Sequence, residues 1–308
     1  MRSRDRLGHR GSFCCYKLAM SFLDHIERCN AHDLAPFRPW FIGATRTGWV
    51  HRDFAPVLAR RPDLFVSADV GWRLSDHLAT PDARTQAVEA FLRDLAREGW
   101  FSAWRDERYP VTSDFQQPAL MAMERAAVPF FGIRAFGVHL TGYVRRRDGL
   151  HIWVPRRSRT KSTYPGMLDN TVAGGQPEKL GLLENVIKEC LEEASIPAEI
   201  ARQAQAVGAI TYCYQSGMEL KPDVQYVFDL ELPDGFECRS NDGEAESFEL
   251  WPVADVVARV RDTVDFKYNC NLVLIDFFVR HGLIAADHPD YFAIVAGLRR
   301  HPFGPGGN

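Results

Sequence analysis

Apolar residues recur with a helical period in several parts of the chain. The clearest case is residues 81–100, where Ala, Val and Leu return at helical spacing between Pro81 near the start and Gly99 at the end. The same spacing predicts further helices at 20–30, 118–128, 182–194, 254–263 and 270–283, and a short one within 54–65 that stops near Pro62.

Other segments are rich in β-type residues and are bounded by turn signals. Residues 39–54 predict a hairpin around Thr47-Gly48, and Asp148-Gly149 predicts a turn between strands at 131–146 and 150–158. Further strands are predicted at 101–113, 207–216, 223–233 and 246–253. The order of elements predicts an α+β fold: a small α+β module at 20–130, then a mixed, mostly antiparallel sheet with helices packed on it at 131–300.

Composition excludes several classes of protein. The chain has 308 residues and a net charge of -3, so it has no overall basic field to attract nucleic acid or a membrane. Its seven cysteines include no C-x-x-C pair, which argues against a disulfide framework or zinc site and favours a reduced, cytoplasmic protein. Residues 1–19 are basic but lack the features of a signal peptide, and we expect a disordered extension there.

The predicted helix 182–194 carries an acidic cluster. Glu189, Glu192 and Glu193 stand at positions i, i+3 and i+4, which places their carboxylates on one side of the helix. Like charges at this spacing repel, so the cluster is either a solvated acidic face or a site for a divalent cation. The preceding Gly174-Gly175 pair favours the cation, because glycine lets the backbone approach a ligand closely.

The segment resembles the Nudix box, G-x5-E-x7-R-E-U-x-E-E-x-G-U, where U is an aliphatic residue. With Glu192 and Glu193 as the Glu pair, the first Gly of the box falls on Gly174, and "KECLEEASI" (188–196) aligns with its second half, with Lys188 at the Arg position, Cys190 at the first aliphatic position and Ile196 at the last. Leu180 stands where the box has its early Glu, and Ser195 where it has its last Gly. The resemblance implies a Nudix α/β/α sandwich that binds Mg²⁺ or Mn²⁺ through Gly174, Glu189, Glu192 and Glu193.

A narrower resemblance concerns the substrate. The segments "WVPRRSRTKSTYPGMLDNTVAGGQP" and "NDGEAESFELWPV" are similar to the Nudix region of fungal thiamine pyrophosphokinases, which follows a module of unknown function. This implies hydrolysis of thiamine diphosphate, or of its oxidised and damaged forms, to the monophosphate and phosphate. The N-terminal module is expected to cover the organic part of the substrate or to mediate formation of a homodimer.

Other charged and aromatic residues are candidates for the same site. The resemblance implies that Glu189 or a glutamate of the segment 241–251 helps to deprotonate water. Glu246 is the preferred residue of that segment, and Glu244 is the second choice. Arginine forks suit phosphate oxygens, and a basic group follows the strand 150–158. The predicted phosphate-binding residues are Arg156, Arg157, Arg159 and Lys161. Aromatic residues that could stack on a heterocycle are Trp153, Tyr164, Tyr212, Tyr214 and Trp251, each with a role in the core as the alternative.

Three alternative functions stay open at this point. The departures at Leu180 and Ser195 are compatible with a catalytically inactive sensor that binds a diphosphate. A diphosphatase for another substrate of the nucleoside-diphosphate type satisfies the same motif. An isopentenyl-diphosphate-type isomerase shares the fold but uses a cysteine ahead of the box, and "LDNTVAGG" (168–175) has none.

Overall fold

The computed structural model describes residues 20–101 and 104–300. The predicted extension at 1–19 therefore lies outside the described residues. The helices are α1 (Phe22–Cys29), α2 (Ala55–Leu58), α3 (Pro81–Arg97), α4 (Leu182–Ala194), α5 (Ala198–Ala201), α6 (Val253–Asp262), α7 (Cys270–Arg280) and α8 (Tyr291–Gly297). The strands are β1 (Phe37–Ile42), β2 (Thr45–His51), β3 (Phe65–Ala68), β4 (Gly71–Leu74), β5 (Arg108–Val111), β6 (Met121–Glu124), β7 (Phe136–Arg146), β8 (Gly149–Arg157), β9 (Val172–Gly175), β10 (Gln205–Ser216), β11 (Glu219–Glu231) and β12 (Ala245–Pro252).

The first unit of the chain combines a four-stranded sheet, a separate hairpin and helix α3. The sheet has the order β2-β1-β4-β3, and the hairpin pairs β5 with β6. Side chains between Trp40 and Ile133 form its core, in which the aromatic rings of Phe54 and Phe131 pack 5.7 Å apart. Helix α3 begins at the predicted place because Thr80 caps it through the Ala83 N–H and Pro81 occupies its first turn.

Two predictions in this unit are wrong. Residues 118–128, predicted as a helix, contain strand β6 (Met121–Glu124), which pairs antiparallel with β5, and a 3₁₀ turn follows at Val128–Phe131. All four residues of β6 are buried, so pairing and packing override a composition that favours a helix. The first hairpin turns at Gly43, with φ of 58°, while Gly48 lies within β2 against the Phe131 carbonyl.

The second unit is a six-stranded mixed sheet covered by helices on both faces. Its order is β10-β11-β7-β8-β12, and β9 also pairs with β7; β7 and β11 are parallel, and the other pairs are antiparallel. Helix α4 packs through Val186, Cys190 and Ala194 on one face. Helices α6, α7 and α8 pack on the other face, so the sheet lies between two helical layers.

Helix α1 belongs to the core of the second unit, although the sequence boundary groups it with the first. Phe22, Ile26 and Cys29 pack with α7 and α8 in the same apolar cluster. The Ser21 side chain and Asp24 form a capping box that begins this helix. No helix among the described residues has the length and apolar character needed to cross a membrane.

Candidate active site

Helix α4 and strand β9 bring acidic side chains to the Gly174-Gly175 backbone. A Cβ atom on Gly174 would lie 2.5 Å from Cδ of Glu189, so this carboxyl group needs a residue without a side chain beside it. Glu193 accepts a hydrogen bond of 2.8 Å from the Ala173 N–H. The glycine pair, expected in a loop, therefore forms a strand whose backbone contacts two of the three predicted metal ligands.

Glu192, the third predicted ligand, lies on the outer side of α4. Its side chain is 48% exposed and stands 2.8 Å from the Lys188 ammonium, which is also 3.1 Å from Glu189. Within the described residues, no group of three or more His, Cys, Asp or Glu side chains is placed to hold a metal ion. Mg²⁺ typically takes one or two carboxylates together with water and substrate phosphate oxygens, and Glu189 and Glu193 suit that role.

Burial raises the pKa of both inward carboxyl groups. The pKa of Glu193 lies well above its ordinary value, mainly because of burial and further because of negative charge on Glu189, Asp169 and Glu244. The pKa of Glu189 is also raised by burial, against the opposing effect of Lys188. The site thus concentrates negative charge without full compensation, which is the electrostatic setting that a divalent cation stabilises.

A narrow crevice of about 20 Å³ extends from Glu193 towards β8 and β12. Arg157, Asp169 and Glu244 contribute to its walls. The sequence favours Glu246 over Glu244 for this region, but Glu246 is the extra residue of a β-bulge and lies 3.7 Å from Arg159. Glu244, directly before β12, is the acidic residue of this segment that shares the crevice with Glu193.

The predicted phosphate-binding group has mostly local partners. All three side-chain nitrogens of Arg157 donate hydrogen bonds, two of them to loop carbonyls and one to Asp169 at 2.6 Å. Arg156 donates to the Gly166 carbonyl at 2.9 Å, so these two arginines hold the loop 158–169 in place. Lys161 pairs with Glu244, and the side chain of Arg159 is 84% exposed.

Lys267, which the sequence analysis did not single out, is the better placed cation. Its ammonium is mostly buried, lies 4.0 Å from Asp169 and forms no hydrogen bond within the described part of the chain. Although burial opposes it, the charge of Asp169 keeps the pKa of Lys267 above its ordinary value, so the group stays cationic. The segment before α7 carries no motif, and only the structure brings this lysine towards β9.

A larger cavity of about 290 Å³ adjoins Ala173, Gly174 and Gly175. Among the predicted aromatic residues, Tyr164 and Tyr212 line it. Tyr214 packs 5.2 Å from Tyr268, a further lining residue that the sequence analysis missed. The other two predicted aromatic residues, Trp153 and Trp251, pack within or against the apolar cores.

Polar groups inside this cavity are held in fixed orientations. The Tyr212 hydroxyl donates to Asp223 at 3.0 Å and accepts hydrogen bonds from Gln225 and Asn269. Burial raises the pKa of Asp223 to about 6. Burial lowers the pKa of His139 to about 4, so this imidazole is neutral at pH 7 and hydrogen-bonds to Asn170 at 2.7 Å.

Side-chain amides hold the loop of the Nudix box, which has no carboxylate at position 180. The buried Gln176 side chain donates to the Leu180 carbonyl at 2.6 Å. Asn185 donates to the Gly175 carbonyl at 2.8 Å and to Gln176 at 3.1 Å. Two side-chain amides therefore fix the loop between β9 and α4, and Glu184 accepts from the Gly181 N–H at the start of the helix.

Comparison with known proteins identifies the family. Residues 21–135 match a family model described as a domain of unknown function, DUF4743. Nudix hydrolase 24, chloroplastic, from Arabidopsis thaliana is 40% identical over 282 residues, which cover 90% of this chain and 77% of the relative. The chain belongs to the Nudix hydrolases. Nudix hydrolase 20, chloroplastic, from the same plant is also 40% identical, over 289 residues that cover 90% of this chain and 77% of that protein.

More distant similarities extend beyond plants. An uncharacterized protein of Saccharomyces cerevisiae is 36% identical over 72% of this chain and 70% of its own length. Among solved structures, the MutT protein from Methanosarcina mazei aligns with 48% of this chain and 95% of that one, at 16% identity and a TM-score of 0.37.

Membership of the family confirms the resemblance to Nudix proteins and the α+β Nudix fold. It also places this chain among hydrolases. The assignment of individual ligands and of the base stays a prediction, and so does the relation to thiamine pyrophosphokinases.

Proposed function

We propose that this Nudix hydrolase cleaves the diphosphate of thiamine diphosphate, or of its oxidised and damaged forms, to the monophosphate and phosphate. The main support is the arrangement around β9, where Glu189 and Glu193 contact the backbone and the aromatic cavity adjoins the same residues, Ala173 to Gly175. A diphosphate can approach the carboxylates there while its organic group occupies the cavity. The choice of thiamine comes from the resemblance to the Nudix region of thiamine pyrophosphokinases.

The residues present fit a divalent cation. Two half-buried carboxylates with raised pKa values, Glu189 and Glu193, contact the β9 backbone, and Glu192 is close by on α4. Gly174 offers its carbonyl, whereas the Gly175 carbonyl accepts the hydrogen bond of Asn185. When bound, Mg²⁺ or Mn²⁺ neutralises phosphate charge and favours ionisation of water.

The protein groups then have separate tasks. Glu189 accepts the proton of the attacking water, because its raised pKa brings it closer to the pH at which a general base is effective. We assign to Glu244 the supporting role that the sequence gives to Glu246, since Glu244 lines the crevice with Glu193. Lys267 binds phosphate oxygens, and this leaves Arg156 and Arg157 to hold the loop.

Replacement of the α4 carboxylates tests the mechanism. The double variant Glu192→Gln with Glu193→Gln is expected to lose metal-dependent phosphate release, while Glu199→Gln, an exposed control on α5, keeps it. Wild-type activity in the double variant would show that hydrolysis does not depend on this site. Circular dichroism and thermal unfolding of each variant establish that the fold is retained.

A hydrolysis screen identifies the organic group. The panel contains thiamine diphosphate, its oxidised analogues, nucleotide sugars, dinucleotides and coenzyme A, each with Mg²⁺ and with Mn²⁺. The proposal requires the highest kcat/KM for a thiamine compound. A preference for another member would retain the reaction but change the substrate, and tight binding of diphosphates without turnover would favour the sensor instead.

Location and assembly are secondary proposals. We propose a cytoplasmic protein, supported by the five cysteines of the described residues, all buried and unpaired. A homodimer is an assembly that size-exclusion chromatography with light scattering tests directly.

A further inference from the structure

The N-terminal module reaches into the catalytic unit through the hairpin β5-β6. A Cβ atom on Gly175 would lie 1.6 Å from the hydroxyl oxygen of Tyr109, so this ring occupies the space that a side chain would need. The guanidinium of Arg125 lies 5.3 Å above the Tyr109 ring and pairs with Glu107. Tyr109 and Arg125 therefore lie together beside Gly175, the last residue before the loop between β9 and α4.

Both units contribute to the 290 Å³ cavity. Tyr109, Arg125, Val128, Pro129 and Ile133 belong to the N-terminal module, and most of the other walls come from the Nudix unit. Tyr109 is 7% exposed, and its hydroxyl forms no hydrogen bond with any residue in the ranges 20–101 and 104–300. It is therefore a hydrogen-bonding group in the cavity wall with no protein partner in those ranges.

The Nudix unit contributes a complementary acceptor, Asp223, to the same cavity. One carboxylate oxygen of Asp223 accepts the hydrogen bond of Tyr212, and the other forms none with the described residues. Lys221 and Lys267 line the same space. A planar ring with an N–H or amino donor can meet Asp223, stack near the tyrosines, and leave its charged end towards the lysines and β9.

We propose that the N-terminal module forms one wall of the substrate pocket, in which Tyr109 and Arg125 bind a planar heterocycle and determine specificity. The Tyr109 hydroxyl hydrogen-bonds to the ring, and the Arg125 guanidinium, which is partly exposed, stacks on it at the cavity mouth. This assigns a function to the domain matched at 21–135. It rests on the proposed function only for the position of the diphosphate.

The test compares compounds with and without a ring. Tyr109→Phe removes only a hydroxyl, and Arg125→Gln removes the guanidinium. Arg93→Gln is a matched control, because Arg93 also pairs with carboxylates and lies 5.0 Å above a ring, Trp104, outside the cavity. Hydrolysis of thiamine diphosphate and of methyl diphosphate is measured with Mg²⁺, and binding of unphosphorylated thiamine is measured by calorimetry without metal.

Each substitution in the wall is expected to lower kcat/KM for thiamine diphosphate and the affinity for thiamine about tenfold, the usual effect of one lost hydrogen bond or cation–π contact. Methyl diphosphate hydrolysis stays unchanged, and Arg93→Gln behaves as wild type. If Tyr109→Phe and Arg125→Gln both hydrolyse thiamine diphosphate with the kcat/KM of wild type, the inference is overturned while the proposed function stands. If wild type hydrolyses nothing but binds thiamine in a manner that depends on Tyr109 and Arg125, the inference stands and the proposed function fails. Failure of wild type to bind thiamine or any ring-bearing member of the hydrolysis panel overturns the inference.

Discussion

Substitution of Gly174 by alanine should displace a catalytic carboxylate without changing any charge. The new Cβ atom would lie 2.5 Å from Cδ and 2.6 Å from Oε1 of Glu189. Carbon atoms in contact are usually about 3.5–4.0 Å apart, so the carboxyl group must move by about 1 Å. A displacement of about 1 Å at a reacting centre can reduce the rate about 100-fold, which corresponds to about 2.7 kcal/mol of transition-state stabilisation.

A second glycine provides the control. At Gly297 in α8 an added Cβ would lie 2.7 Å from Cγ2 of Ile26, a clash of similar size in the distant core around α1. Both variants should lose about 1–3 kcal/mol of unfolding free energy, the usual cost of overpacking. Only Gly174→Ala should also lower kcat/KM for diphosphate hydrolysis, measured by phosphate release at saturating Mg²⁺. If its activity stays within twofold of the Gly297→Ala variant, the position of Glu189 does not determine the rate.

Three further predictions concern binding, pH and backbone geometry. Lys267→Gln should raise KM at least tenfold, since a charged hydrogen bond contributes about 1.5–3 kcal/mol, whereas Arg156→Gln should change it less than twofold in the same assay. Burial raises the pKa of Asp223 to about 6, above its value in the unfolded chain, so the folded protein binds this proton more tightly than the unfolded chain does. The resulting contribution to the free energy of unfolding is present near pH 4 and is lost as pH rises through 6. Urea unfolding at pH 4 and pH 7 should therefore show wild type losing up to about 3 kcal/mol relative to Asp223→Asn, and equal pH dependence of the two proteins would refute this. Ser195 has a positive φ of 53°, and its hydroxyl donates to the Arg239 carbonyl at 2.9 Å. Ser195→Gly relieves the backbone strain but loses this hydrogen bond, so the two effects oppose each other. The unfolding free energy should change by less than about 1 kcal/mol, and the activity should be unchanged.

Periodic segments with clear end signals were predictable from sequence. Helix α4 runs over the predicted residues 182–194, and the box motif alone indicated the register of its glutamates. Strand β6 was missed because Met, Ala and Glu favour a helix locally, and only pairing with β5 and complete burial decide otherwise. Strand β9 was missed because a glycine pair is typical of a loop, and its reason for being there is the approach of Glu189 and Tyr109.

Long-range placement limited the prediction of the site. A β-bulge moves Glu246 out of the crevice and leaves Glu244 in it, and one extra residue in a strand has no signature in a single sequence. Arg157 looked suited to phosphate, but its nitrogens donate to a loop and to Asp169. Lys267 approaches Asp169 because Phe266 pairs with Leu168 and the Lys267 N–H donates to the Leu168 carbonyl at 2.9 Å, a contact that no spacing along the chain reveals.

The location of α1 has a consequence for the order of folding during synthesis. The core of the first unit is formed by residues between Trp40 and Ile133, so it can close soon after that segment leaves the ribosome. The core of the second unit needs both Ile26 of α1 and Ile294 of α8. The packing surface of α1 is therefore complete only when α8, which begins more than two hundred and fifty residues later, has been synthesised. The N-terminal module is inserted between α1 and its packing partners, so its prior folding shortens the loop that α1 must close to complete the catalytic unit.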